Sequence, residues 1–176
     1  MHTTVIAALL LAASASMPQD HATHQHPQSR AQQGMGFDQE RTTHHFLIEK
    51  DGGTIQVTAN DRSDRTSADQ VRGHLKHIAA AFADGDFSLP MFIHDTDPPG
   101  IAAMKERRAA MTFTFDERPG GGRVVIRTKD TAAREALHEF LRFQIREHKT
   151  GDPMNPPPNQ GREPEYHAPS TIGNDG

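Results

Sequence analysis

The chain has 176 residues, 19 basic and 23 acidic side chains, a net charge of −4, twelve histidines and no cysteine. With no long basic stretch, that balance argues against nucleic acid or an anionic membrane surface as a partner. The missing thiols exclude disulfides, thiolate catalysis and Cys-type zinc or iron–sulfur sites, while a chain of this length can bury a core without cross-links.

The uncharged apolar run Val5 to Ala13 is too short to span a bilayer, and Ala13-Ser14-Ala15 after it has the small-x-small pattern of a signal peptidase site. Residues 1–15 therefore read as a cleaved secretory signal, although Met1 to Thr4 holds no Lys or Arg. The mature protein is expected in the periplasm or outside the cell, with no membrane span left after cleavage. Residues 16–41, rich in Gln, His and Ser, lack the large apolar side chains that repay ordering entropy and read as a disordered leader. Within it, His21, His24 and His26 form a flexible cluster suited to loose metal binding, or simply a solvated polar tract.

A domain is expected over residues 42–152. Thr43 to Glu49 alternates, with His44, Phe46 and Ile48 on one face and His45, Leu47 and Glu49 on the other. Asp51-Gly52-Gly53 suggests a tight turn, and Thr54 to Ala59 a returning strand. Ser67 with Gln70 resembles a capping box. The helix that follows carries the stripe Val71, Leu75, Ile78, Phe82 and stops at Gly85.

The stretch from Phe87 to Arg108 reads as a linker, with His94-Asp95 in a loop, a stiff Asp97-Pro98-Pro99-Gly100 turn and a short helix from Ile101 to Arg107. The first pattern then recurs: a strand with Met111, Phe113 and Phe115, a longer turn from Glu117 to Gly122, a strand with Val124 and Ile126, a helix from Asp130-Thr131 with Leu137 and Leu141, and a Gly151-Asp152 stop. This reads as a duplicated ββα unit. The expected fold class is α+β, a four-stranded, mainly antiparallel sheet with both long helices on one face. Residues 153–176, with six prolines, read as an extended, disordered tail.

Thr42-Thr43-His44-His45-Phe46, His74-Leu75-Lys76-His77-Ile78 and Phe140-Leu141-Arg142-Phe143-Gln144-Ile145, continuing to His148-Lys149-Thr150-Gly151-Asp152, carry a further signal. With these segments the chain resembles an uncharacterised family of small secreted bacterial proteins, a resemblance that implies no established activity. The aspartate carbamoyltransferase label carried by some members is not extended to this chain, which is too short for that two-domain enzyme and lacks a Ser-Thr-Arg-Thr phosphate loop.

The remaining chemistry lies in the domain histidines. His44 falls on the apolar face of its strand, His74 borders the Val71 stripe, and His148 lies on the Leu137–Leu141 stripe. With the two helices antiparallel on one sheet face, these three converge on one pocket. Imidazoles without thiolates suit zinc, copper(II) or nickel, with Met sulfur nearby favouring copper(I). The competing reading is that each half-buried imidazole is satisfied by a backbone or carboxylate partner. His77 and His138 sit beside charged neighbours and read as exposed, and His94-Asp95 is a weak acid–base pair. No Gly-x-Ser-x-Gly elbow, phosphate loop or dinucleotide fingerprint is present. The expectation is an exported binding protein for a transition metal (copper or zinc) or a small ligand. The alternative is a structural or protein-interaction module of the cell envelope, with a homodimer across an uncovered sheet face, and a small His-dependent enzyme ranks last.

Overall fold

The computed structural model describes residues 34–158. The segment read as a secretory signal, the His21–His26 tract and the distal part of the segment read as a tail lie outside the described residues. Four strands, β1 (Thr42–Glu49), β2 (Gly52–Ala59), β3 (Met111–Arg118) and β4 (Gly121–Thr128), form one sheet of order β1-β2-β4-β3 in which every neighbouring pair is antiparallel. Among the described residues it is accompanied by α1 (Arg65–Asp84), α2 (Ser88–His94), α3 (Ile101–Glu106) and α4 (Thr131–His148). The expected α+β architecture is present. Among the described residues no helix is long and apolar enough to cross a membrane.

The register places His44 opposite Val57, Phe46 opposite Ile55, Ile55 opposite Val124 and Phe115 opposite Val124, so these residues share one sheet face. Both long helices make their core contacts there. Phe82 of α1 meets Phe113 edge-on at 6.0 Å, and Lys76 lies over the Phe115 ring. Leu141 of α4 abuts Gly53, and His148 lies against Phe46. Each helix thus covers mainly the hairpin of the other ββα segment: α1 lies on β3 and β4, α4 on β1 and β2. All four positions of the α1 stripe, Val71, Leu75, Ile78 and Phe82, are buried.

Several local expectations are corrected. Asp64, not Ser67, caps α1: its side chain accepts from the Ser67 N–H, and Ser67 is buried in the first turn. The Gly-Gly pairs are strand residues rather than turns. Both hairpin loops have two residues, Lys50-Asp51 and Pro119-Gly120, and Gly120 takes the positive φ of 76° that a turn beginning with Pro requires. Gly53 and Gly122 instead leave room on the helix-covered face for Leu141 and Phe115. Helix α4 ends earlier than Gly151, at a left-handed Lys149 with φ 51°.

The linker holds a helix, α2, where a loop was expected, besides the anticipated short α3. The packed structure also begins before Thr42. Met35 and Phe37, within the segment read as leader, are buried in the main core. At the other end, Asp152 accepts from the Phe46 N–H at 2.9 Å and from His45 Nδ1 at 2.9 Å, covering part of the β1 edge.

Candidate functional site: a histidine-lined cavity

A cavity of about 60 Å³ lies between the sheet, α1, α2 and α4. Its walls include His44 from β1, His74 from α1, His94 from the end of α2, and Gln144 and His148 from the last turns of α4. The three histidines expected to converge do so, with a fourth. His148 is the centre of the group: its ring stacks on His44 at 5.3 Å and meets His94 edge-on at 5.3 Å. Phe37 joins His44 to His74, stacked on the first at 5.7 Å and edge-on to the second at 5.3 Å.

Local sequence explains the arrangement. The period-2 pattern of β1 sends His44 to the same face as Phe46, and 3.6-residue periodicity puts Gln144 and His148 on the stripe of Leu137 and Leu141. Helix α2 carries Leu89, Pro90 and Ile93 along the cavity and delivers His94 at its end. Burial pushes the His44 imidazole down to about 4, with His45 adding repulsion, and His74 down to about 4, with His44 and His77 adding to it. His148 is pushed down to about 3 by burial and by its neighbours His44 and His94. Burial also lowers His94, against opposing effects of Gln144 and Glu147. At neutral pH these rings are uncharged, each keeping one N–H donor and one lone pair.

Among the described residues, no Asp, Glu, Lys or Arg lines the cavity. Its polar equipment is the four imidazoles and Gln144. Because the Gln144 Oε1 atom only accepts, His94 Nε2–H is the donor across their 3.0 Å contact, which leaves the His94 Nδ1 lone pair free of that bond. The Gln144 Nε2 atom is buried and has no hydrogen-bond partner, in a residue only 4% exposed.

Among the described residues, no three His, Cys, Asp or Glu side chains stand where they could hold a metal ion together. The ring geometry gives the reason. Imidazole lone pairs lie in the ring plane, and His44 and His148, tilted by only 26°, present faces to one another rather than a common point.

Other expectations end differently. His138 is buried, not exposed: its Nε2 lies 2.9 Å from the Glu49 carbonyl and 3.0 Å from that of Gly52, bracing the first hairpin turn. His77 is exposed as expected. His94 closes a helix and contacts Gln144 rather than standing in a loop. Sequence reasoning missed Gln144, although a polar residue on an otherwise apolar helix stripe is a readable signal. It also missed Met35 and Phe37, which carry no periodicity. No family model, no curated protein and no solved structure matches this chain.

Proposed function

We propose that the chain is an exported binding protein whose histidine-lined cavity holds a small guest. The observation that carries this reading is the gathering of four imidazoles and Gln144, from four separate elements, around one uncharged cavity. Concave, mostly apolar sites with a few convergent polar groups are the usual form of a small-molecule site, and this one is small even by that standard. Export rests on the apolar run Val5 to Ala13 and the Ala13-Ser14-Ala15 site. The test is a thermal-shift screen of the full chain against a library of small organic molecules, run beside Leu89→Phe, which adds bulk to the cavity wall. Compounds that raise the melting temperature of the parent and not of the variant support the reading. A library in which no compound separates the two proteins overturns it.

A second reading, a copper or zinc site, is favoured by one observation: burial keeps His44, His74 and His148 unprotonated, so ligation needs no proton loss. It requires the His44 and His148 rings to turn out of their stack. Equilibrium dialysis with zinc and with copper distinguishes the two candidate sets. Loss of binding in His44→Ala or His74→Ala assigns the metal to the cavity. Loss only in the His21→Ala, His24→Ala, His26→Ala triple variant assigns it to the N-terminal tract.

A further inference from the structure

We infer that the guest is a small uncharged molecule with an acceptor oxygen, read by the unpaired Nε2 donor of Gln144. The inference rests on the cavity being a binding site, and it specifies the chemistry of the occupant. A buried amide N–H without a partner is costly, and such groups in folded proteins are nearly always met by something. Here the orphan donor belongs to a residue that lines the cavity; the atom itself is covered, so a guest in the cavity meets it once the Gln144 side chain turns slightly towards it. The other Gln144 atom, Oε1, is engaged by His94 Nε2–H at 3.0 Å, which leaves Nε2 as the free end of the amide.

The charge of the guest follows from the walls. Among the described residues of the wall, a carboxylate or phosphate would find no Lys or Arg and an ammonium no Asp or Glu. Either ion would be desolvated without a counter-charge, which is far more costly than bringing in a neutral group. The unprotonated imidazoles complement a neutral guest, since each offers a lone pair to an O–H or N–H. The apolar remainder of the wall, including Leu89, Ile93 and Phe140, suits a short aliphatic body. A neutral amide, or an alcohol with the same branching, satisfies all three demands: an oxygen for Gln144, a hydrogen for an imidazole and carbon for the apolar wall.

Three probes with the same branched body separate the possibilities: isobutyramide, isobutyrate and protonated isobutylamine, each titrated into the ¹⁵N-labelled full chain at neutral pH. Isobutyramide is expected to shift the Gln144 side-chain NH₂ resonances and to bind about tenfold or more tightly than either ion. In Gln144→Met, which keeps the side-chain length and removes the donor, isobutyramide affinity should fall about tenfold. The wild-type side-chain resonance gives the same answer should that variant misfold. Tighter binding of isobutyrate or isobutylamine overturns the neutral class. Equal affinity in a folded Gln144→Met, or isobutyramide binding that leaves the Gln144 NH₂ resonances unmoved, overturns the role of Gln144 while leaving the cavity a binding site. If none of the three probes binds, the orphan donor is met by water alone and the inference fails. If the library screen is also empty, the binding-protein reading falls with it.

Discussion

Leu141 of α4 occupies the space in which a side chain on Gly53 of β2 would begin: a Cβ built there overlaps Leu141 Cδ1 and lies 2.9 Å from the Leu47 carbonyl oxygen. The helix of the second ββα segment therefore sits directly on a glycine of the first. Gly53→Ala is expected to cost about 1–3 kcal/mol through overpacking, and Leu141→Ala about 2–5 kcal/mol through the cavity it leaves. The double variant should lose less than the sum, because the shorter side chain makes room for the new methyl. Urea denaturation of the three variants measures this, and strict additivity would show that the two sites do not interact.

The cavity histidines set the acid stability. Their pKa values lie below the ordinary 6.5 in the folded protein, at about 4 for His44 and His74 and about 3 for His148. As pH falls below 6.5 the unfolded chain takes up protons that the folded chain refuses, so stability falls with pH until the folded values are reached. His44 and His74 each account for about 3 kcal/mol and His148 for about 5 kcal/mol, together comparable to a small domain's whole margin of about 5–15 kcal/mol. The caps Asp64 and Asp130 titrate below the usual carboxylate range and remain charged through most of this window. The urea midpoint should drop steeply between pH 6.5 and 4, and His148→Phe should flatten that slope. An unchanged slope in the variant would place the acid sensitivity elsewhere.

His138 predicts a contrast with its neighbour in type. Replacing it with Ala removes the donor shared by the Glu49 and Gly52 carbonyls and should cost about 1–3 kcal/mol. His77→Ala, at an exposed position, should stay within about 0.5 kcal/mol of the parent. Similar losses for both would mean that His138 does not brace the hairpin.

What the sequence made legible and what it hid follow from range. The alternation of β1 and the Val71–Phe82 stripe depend on local periodicity, and both appear as read, down to the facing of His44. Gly52-Gly53 and Gly121-Gly122 were misread because a glycine pair marks either a tight turn or a close approach, and only the tertiary neighbours Leu141 and Phe115 decide between them. His138 was read as exposed from charged neighbours, yet its partners are carbonyls far away in the chain. Helix α2 has seven residues and contains Pro90, too short for a periodic signal. Without it the cavity has no fourth imidazole, so the convergence of three histidines was legible and the enclosure around them was not.

The β1 edge yields another expectation. The Asp152 carboxyl is raised by partial burial, but Thr150, the Phe46 amide and His45 outweigh this and hold it below the usual carboxylate range. Asp152→Ala should cost about 1–3 kcal/mol, mostly from leaving the Phe46 N–H without its charged acceptor. Amide exchange at Phe46 should quicken more than at Phe113, and equal changes at both would argue for a general loosening.

Because α1 rests on β3 and β4 while α4 rests on β1 and β2, neither half of the chain owns the surface that its own helix needs. A cut between Asp97 and Pro98 would produce two pieces, each with a bare hairpin and an orphaned helix. Mixed in equal amounts they should reconstitute a complex at micromolar concentration, visible as recovered helical circular dichroism that neither piece shows alone. The exchange of helices also means that the first hairpin, though made early, stays uncovered until α4 has left the ribosome.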